Sequence, residues 1–96
     1  MPYKIKITPT AFKDLQKAIE YYNGEQKGLG RKFYSSVKAM FLKLTKVPTS
    51  GSFLHDSVRF RVMHNFPHII IYELQENKIL VYRIFHTSQS AFWLEK

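Results

Sequence analysis

The sequence predicts an α+β fold: a small antiparallel sheet, with elements in the order β-α-α-β-β-β, backed by an antiparallel helical hairpin. Three observations predict it. Residues 3–7 alternate with a period of two. Two stretches, 9–23 and 29–47, repeat apolar residues at helical spacing. Residues 58–86 hold three strand-like runs separated only by short breaks. A chain of 96 residues reads as one domain, 1–96, in which nearly every large apolar residue must help to build a small core.

Each element follows from its own residues. Tyr3, Ile5 and Ile7 point one way and Lys4 and Lys6 the other, as in a half-buried strand. Thr8 is placed to cap a helix whose first position is Pro9, where a missing N–H costs nothing. Ala11, Phe12, Leu15, Ala18, Ile19 and Tyr22 fall on one side of that helix, and Gly24 is its expected stop. Leu29, Phe33, Val37, Met40, Phe41, Leu44 and Val47 form the stripe of a second helix, ended by Pro48. Helices joined this closely pack antiparallel. Thr49–Ser57 reads as a polar loop around Gly51. Val58, Phe60 and Val62 then alternate with Arg59, Arg61 and Met63. Asn65–Pro67 breaks the run, Ile69–Leu74 is apolar enough for a central strand, Glu76–Asn77 is a tight turn, and Ile79–His86 is the last strand. Ala91–Leu94, with Phe92 and Trp93, is expected to dock on the body.

Composition excludes several classes. No cysteine is present, so there is neither a disulfide framework nor a thiolate metal site. No apolar run approaches the ~20 residues that span a bilayer, and residues 1–8 lack a signal-peptide core, so no membrane association is expected and a cytoplasmic location is. The net charge is +8, and it is uneven: residues 1–48 hold ten Lys/Arg against three Asp/Glu. Between Gln26 and His55 there is no acidic residue, yet Lys27, Arg31, Lys32, Lys38, Lys43 and Lys46 lie there. Such a field attracts nucleic acid or an acidic protein; the plainer reading is a lysine-rich, soluble surface.

Arg59 and Arg61 are the leading site residues. On a strand, positions i and i+2 stand about 7 Å apart on one face, here expected to be the uncovered one, and guanidinium groups grip phosphate. Arg83 on the last strand is expected to share that face. The alternative is a solvated polar face with no ligand. His86, at a strand end near arginines, suits either acid–base chemistry or a structural bond to the C-terminal segment. Phe60, Phe66, Tyr72, Tyr82 and Phe85 read as core more readily than as a base-stacking platform. His55, His64 and His68 lack metal-ligand spacing, so no metal and no cofactor are expected. Asp14, Glu20 and Glu25 read as solvated helix residues.

In particular, TPTAFKDLQKAIEYY in the first helix, KFYSSVKAMFLKLTKVPTSG in the second and its exit, VRFRVMHNFPHIIIYEL in the next strands and ILVYRIFHTSQ in the last carry a likeness. Together, in this order and over nearly the whole chain, they resemble the RelE/ParE toxins of type II toxin–antitoxin modules. The resemblance implies a toxin neutralised by a small acidic antitoxin that wraps it in a hetero-oligomer, a partner that +8 suits. RelE-like members cleave ribosome-bound mRNA with basic residues and often a tyrosine or histidine; ParE-like members bind DNA gyrase and need no nuclease site. Arg59 and Arg61 match the RelE-like basic pair, and Arg83 and His86 would complete the set. A later family arginine falls at Ile69 and another near Thr87, and the C-terminal tyrosine has only Phe92 or Trp93 nearby. With the helical hairpin and the His-Thr-Ser ending of the last strand, these losses point to the ParE branch. A degenerate member that only binds its antitoxin is the remaining alternative.

Overall fold

The computed structural model describes residues 3–88. The elements are β1 (Lys4–Ile7), α1 (Pro9–Glu25), α2 (Leu29–Lys46), a 3-10 turn (Pro48–Ser50), β2 (Ser52–His55), β3 (Val58–Val62), β4 (His68–Gln75) and β5 (Lys78–His86). The strands form one sheet in the order β1-β5-β4-β3-β2. The expected α+β arrangement of a sheet with two helices is present, with two differences. The loop expected at Thr49–Ser57 contains β2, a four-residue edge strand whose pairing with β3 is irregular between Phe53 and His55. So short a segment has no measurable period. In addition, the sheet is antiparallel only from β5 to β2; β1 runs parallel to β5, from Lys4↔Lys78 to Ile7↔Val81. A parallel pair needs a long crossover, and everything from α1 to β4 supplies it.

The chemistry of Thr8 explains where β1 ends and α1 begins. Its N–H donates to Val81 O at 3.1 Å and its hydroxyl to Tyr82 O at 3.1 Å, continuing the edge of β5. The same hydroxyl oxygen accepts the Ala11 N–H at 3.0 Å, capping the helix. α1 runs past Gly24 to Glu25. The chain reverses instead at Gly28, whose φ of 84° favours glycine. Gly30 then brings the helices together. Its N–H donates to Asn23 Oδ1 at 2.9 Å, and a Cβ there would stand 2.6 Å from Ile19 O.

Ala11, Leu15, Ala18 and Tyr22 of α1 and Phe33, Val37, Met40 and Leu44 of α2 pack onto Met63, Ile70, Tyr72, Ile79, Val81 and Ile84 of the sheet side. Phe12 and Val47, expected in the stripes, are exposed: Phe12 lies at the stripe's margin and Val47 caps α2 beyond its last turn. The opposite face carries a second apolar cluster, Ile69, Ile71 and Phe85, flanked by Leu54, Val58, Phe60 and Tyr82. The free face is therefore apolar along its centre. The expected docking of Ala91–Leu94 falls outside the described residues.

Candidate functional site

Register decides which way the arginines point. Residues directly opposite one another on paired antiparallel strands share a face. Arg59 stands opposite Tyr72, and Arg61 opposite Ile70. Both partners belong to the helix-side core, as does Met63, the next alternate residue, just past the end of β3. Arg59 and Arg61 thus project on the helix side of the sheet, beyond the end of α2, and not on the uncovered face. Val58 and Phe60 take that face instead. The alternation was legible; which phase faces the helices was not, because one phase offered two arginines and the other three apolar residues.

What the arginines touch is the exit of α2. Arg59 Nη1 donates to Thr49 O at 3.1 Å and to Gly51 O at 2.9 Å, and its guanidinium lies 3.9 Å from the Phe53 ring centre. Arg61 Nη1 donates to Ser50 Oγ at 2.7 Å. Tyr72, fully buried, completes the fastening. Its hydroxyl donates to Pro48 O at 2.7 Å and accepts the Gly51 N–H at 3.0 Å. Burial pushes the Tyr72 phenol up from its ordinary pKa, against the pull of the Gly51 hydrogen bond and of Arg59 and Arg61. Gly51 is needed because a Cβ would stand 2.8 Å from Phe60 O. These bonds satisfy neutral acceptors, and among the described residues neither guanidinium meets a carboxylate.

Arg83 is held differently. Its Nε donates to Asp14 Oδ2 at 2.7 Å and its Nη2 to Asp14 Oδ1 at 3.1 Å, a two-point ion pair. Asp14 Oδ2 also accepts the Ile84 N–H at 3.0 Å. That amide lies on the edge of β5 just past the last residue paired with β1, so Asp14 satisfies a donor that β1 no longer reaches. The Asp14 side chain is only 15% exposed, which corrects its reading as a solvated helix residue. Sequence reasoning missed it because its partner is 69 positions away. Arg83 itself pairs in register with Ile71, at a shift in the β4–β5 ladder, and so belongs to neither the row nor the environment of Arg59 and Arg61.

His86 ends β5 opposite His68, with ring centres 4.9 Å apart. Its Nδ1 accepts the Ser88 N–H at 3.0 Å. His68 is buried against Tyr22 and Phe33, its Nδ1 has no hydrogen-bond partner among the described residues, and its pKa is lowered to about 4, first by burial and then by the nearby His86, with Asp14 opposing. An open cavity of about 390 Å³ between α1 and this strand end is lined by Asp14, Lys17, Tyr21, His68 and His86 among others, but by neither Arg59 nor Arg61. Arg61 lies in the row of Ile70 and Ile84, two strand spacings or roughly 10 Å from β5, and His86 lies two residues farther along. Arg59 and Arg61 therefore stand apart from Arg83 and His86, which adjoin Asp14, Arg83 through its ion pair and His86 across the cavity that Asp14 also lines. Of the aromatics, Tyr72 and Phe85 are buried and Phe66 packs on Tyr22 and Phe33.

Comparison with known proteins adds two findings. Residues 5–91 match the family model described as the ParE toxin of type II toxin-antitoxin system, parDE. The fold is similar to a solved chain of the chromosomal ParDE TA system from P. aeruginosa, with a TM-score of 0.79 and 18% identity over 90% of this chain and 97% of that one. No curated relative matches the sequence.

Proposed function

The chain belongs to the ParE toxin family of type II toxin–antitoxin systems, and from that membership we propose that it inhibits DNA gyrase and is neutralised by a small acidic antitoxin. One observation supports gyrase over message as the target: the basic residues that would cut RNA are dispersed. Arg83 is neutralised by Asp14, Arg59 and Arg61 bind the turn after α2, and His86 lines a cavity that neither Arg59 nor Arg61 lines. Cleavage of a phosphodiester needs a nucleophile's proton acceptor and cationic stabilisers converging on one phosphate within hydrogen-bond reach. A protein that acts by binding needs no such convergence. The antitoxin reading draws on charge: a net +8 on 96 residues raises the encounter rate with an acidic chain and disfavours cationic competitors.

The test is negative supercoiling of relaxed plasmid by purified gyrase with the chain added. The expected result is loss of supercoiling at stoichiometric ratios, restored by the product of an adjacent acidic open reading frame. Undiminished supercoiling at a tenfold molar excess contradicts the gyrase reading.

A further inference from the structure

Residues 26–55 contain no acidic side chain, and the six cations among them are Lys27, just before α2, and Arg31, Lys32, Lys38, Lys43 and Lys46 on it. All six are exposed, and none forms an ion pair among the described residues. At 100° per residue the five on α2 fall within an arc of roughly 140°, turned away from the buried Phe33, Val37, Met40 and Leu44. At 1.5 Å per residue α2 is a rod of roughly 27 Å, and a cationic level recurs every roughly 5–9 Å along it. Small residues, Ser35 and Ala39, lie between the cations and are exposed as well.

We propose that the outer face of α2 is a sequence-independent binding surface for the phosphate backbone of duplex DNA. Charge alone would also suit an acidic protein, but the make-up of the face favours phosphate. Five of the six cations are lysine, a residue depleted from the cores of protein–protein interfaces. Protein hot spots centre on large anchors seated in pockets, whereas the middle of this face is Ser35 and Ala39 on a convex rod, with Leu42 as its one exposed aliphatic side chain. Lysine heads on flexible stems meet phosphates without a fixed geometry, and a serine hydroxyl adds a further donor. Single-stranded RNA is disfavoured because stacking needs free aromatic faces. Tyr34, the aromatic on this side, already carries Lys38 Nζ 5.4 Å from its ring centre.

The surface is separate from the Arg59, Arg61 and Arg83 environments, so it stands or falls independently of the gyrase reading. The experiment is fluorescence anisotropy of a labelled 20-base-pair duplex of arbitrary sequence, titrated with the purified chain at several salt concentrations. The comparison protein is the triple variant Lys32→Ala/Lys38→Ala/Lys43→Ala, whose side chains are all exposed and whose fold is checked by circular dichroism. Each phosphate contact contributes about 0.9 to the slope of log affinity against log salt. The triple variant should therefore bind at least tenfold more weakly at low salt, with a slope smaller by about 2–3. Equal binding by the two proteins, no binding by the wild type at 50 mM salt, or preference for oligoglutamate or single-stranded RNA over the duplex would each overturn the proposal.

Discussion

Two arginine sites that look alike in sequence do opposite things in the structure. At the exit of α2, Arg59 and Arg61 bind carbonyl and hydroxyl oxygens, so the turn is fastened and neither positive charge is cancelled by a carboxylate among the described residues. At the junction of α1 with β5, Arg83 meets a largely buried carboxylate, so the edge is sealed and the charge is cancelled. An arginine on a strand therefore reports little until its acceptor is known. Neutral acceptors keep its field available to a partner, and a carboxylate removes it.

The largest loss on substitution is expected at Asp14. In the Asp14→Ala variant the Arg83 guanidinium and the Ile84 N–H lose their acceptor together. Removing one member of a buried pair costs ~3–5 kcal/mol, and the partial exposure of this one lowers that to about 2–3 kcal/mol, read from the urea midpoint. Asp14→Asn, which keeps a carbonyl acceptor for one of the bonds, should lose less.

A second effect of similar size belongs to pH. Free histidine takes a proton near 6.5, but His68 resists until about 4. The unfolded chain thus binds more protons through that window. Stability is whole above pH 6.5, falls as pH drops, and by pH 4 has lost on the order of 3 kcal/mol from this residue. Glu73 is held below the usual carboxylate range by hydrogen bonds from Tyr82 and Ser57, so acid loosens the fold there too, in the same direction and at lower pH. Thermal melts from pH 7 to 4 should show the decline, and His68→Phe, which keeps a ring among Tyr22, Phe33 and Phe66, should flatten it between pH 6.5 and 5. An unchanged slope would show that His68 is not its source.

The smallest effect sharpens the α2 exit. Tyr72→Phe removes the hydroxyl that joins Pro48 O to the Gly51 N–H and leaves both groups buried, at a cost of about 1–3 kcal/mol. Combining it with Arg59→Ala should give less than the sum of the two losses, since both hold the same turn. Strict additivity would mean that the arginine and the tyrosine do not act on one element.

Much of the fold was legible because it is written in local periods. The helical stripes placed Leu15, Phe33 and Leu44, the alternation placed β1 and β3, and Thr8 with Pro9 marked the start of α1. What escaped has a common cause, which is dependence on distant partners. β2 exists because β3 offers it an edge. β1 is parallel because β5 returns beside it. Asp14 is largely buried because a backbone amide 70 positions away needs an acceptor. The orientation of Arg59 and Arg61 escaped for the same reason, since only the register with Tyr72 and Ile70 says which side faces the helices. The positive field of α2, by contrast, was plain from the sequence, because cations with no acidic residue among them need no partner to be seen.

Arg59 and Arg61 fasten the α2 exit, and the proposed function gives them no phosphate to grip. Primer extension on translated message tests it most directly, with the wild-type chain and Arg61→Ala, each confirmed folded. No chain-dependent 5′ ends are expected with either protein. New ends with the wild type that vanish with folded Arg61→Ala would contradict this.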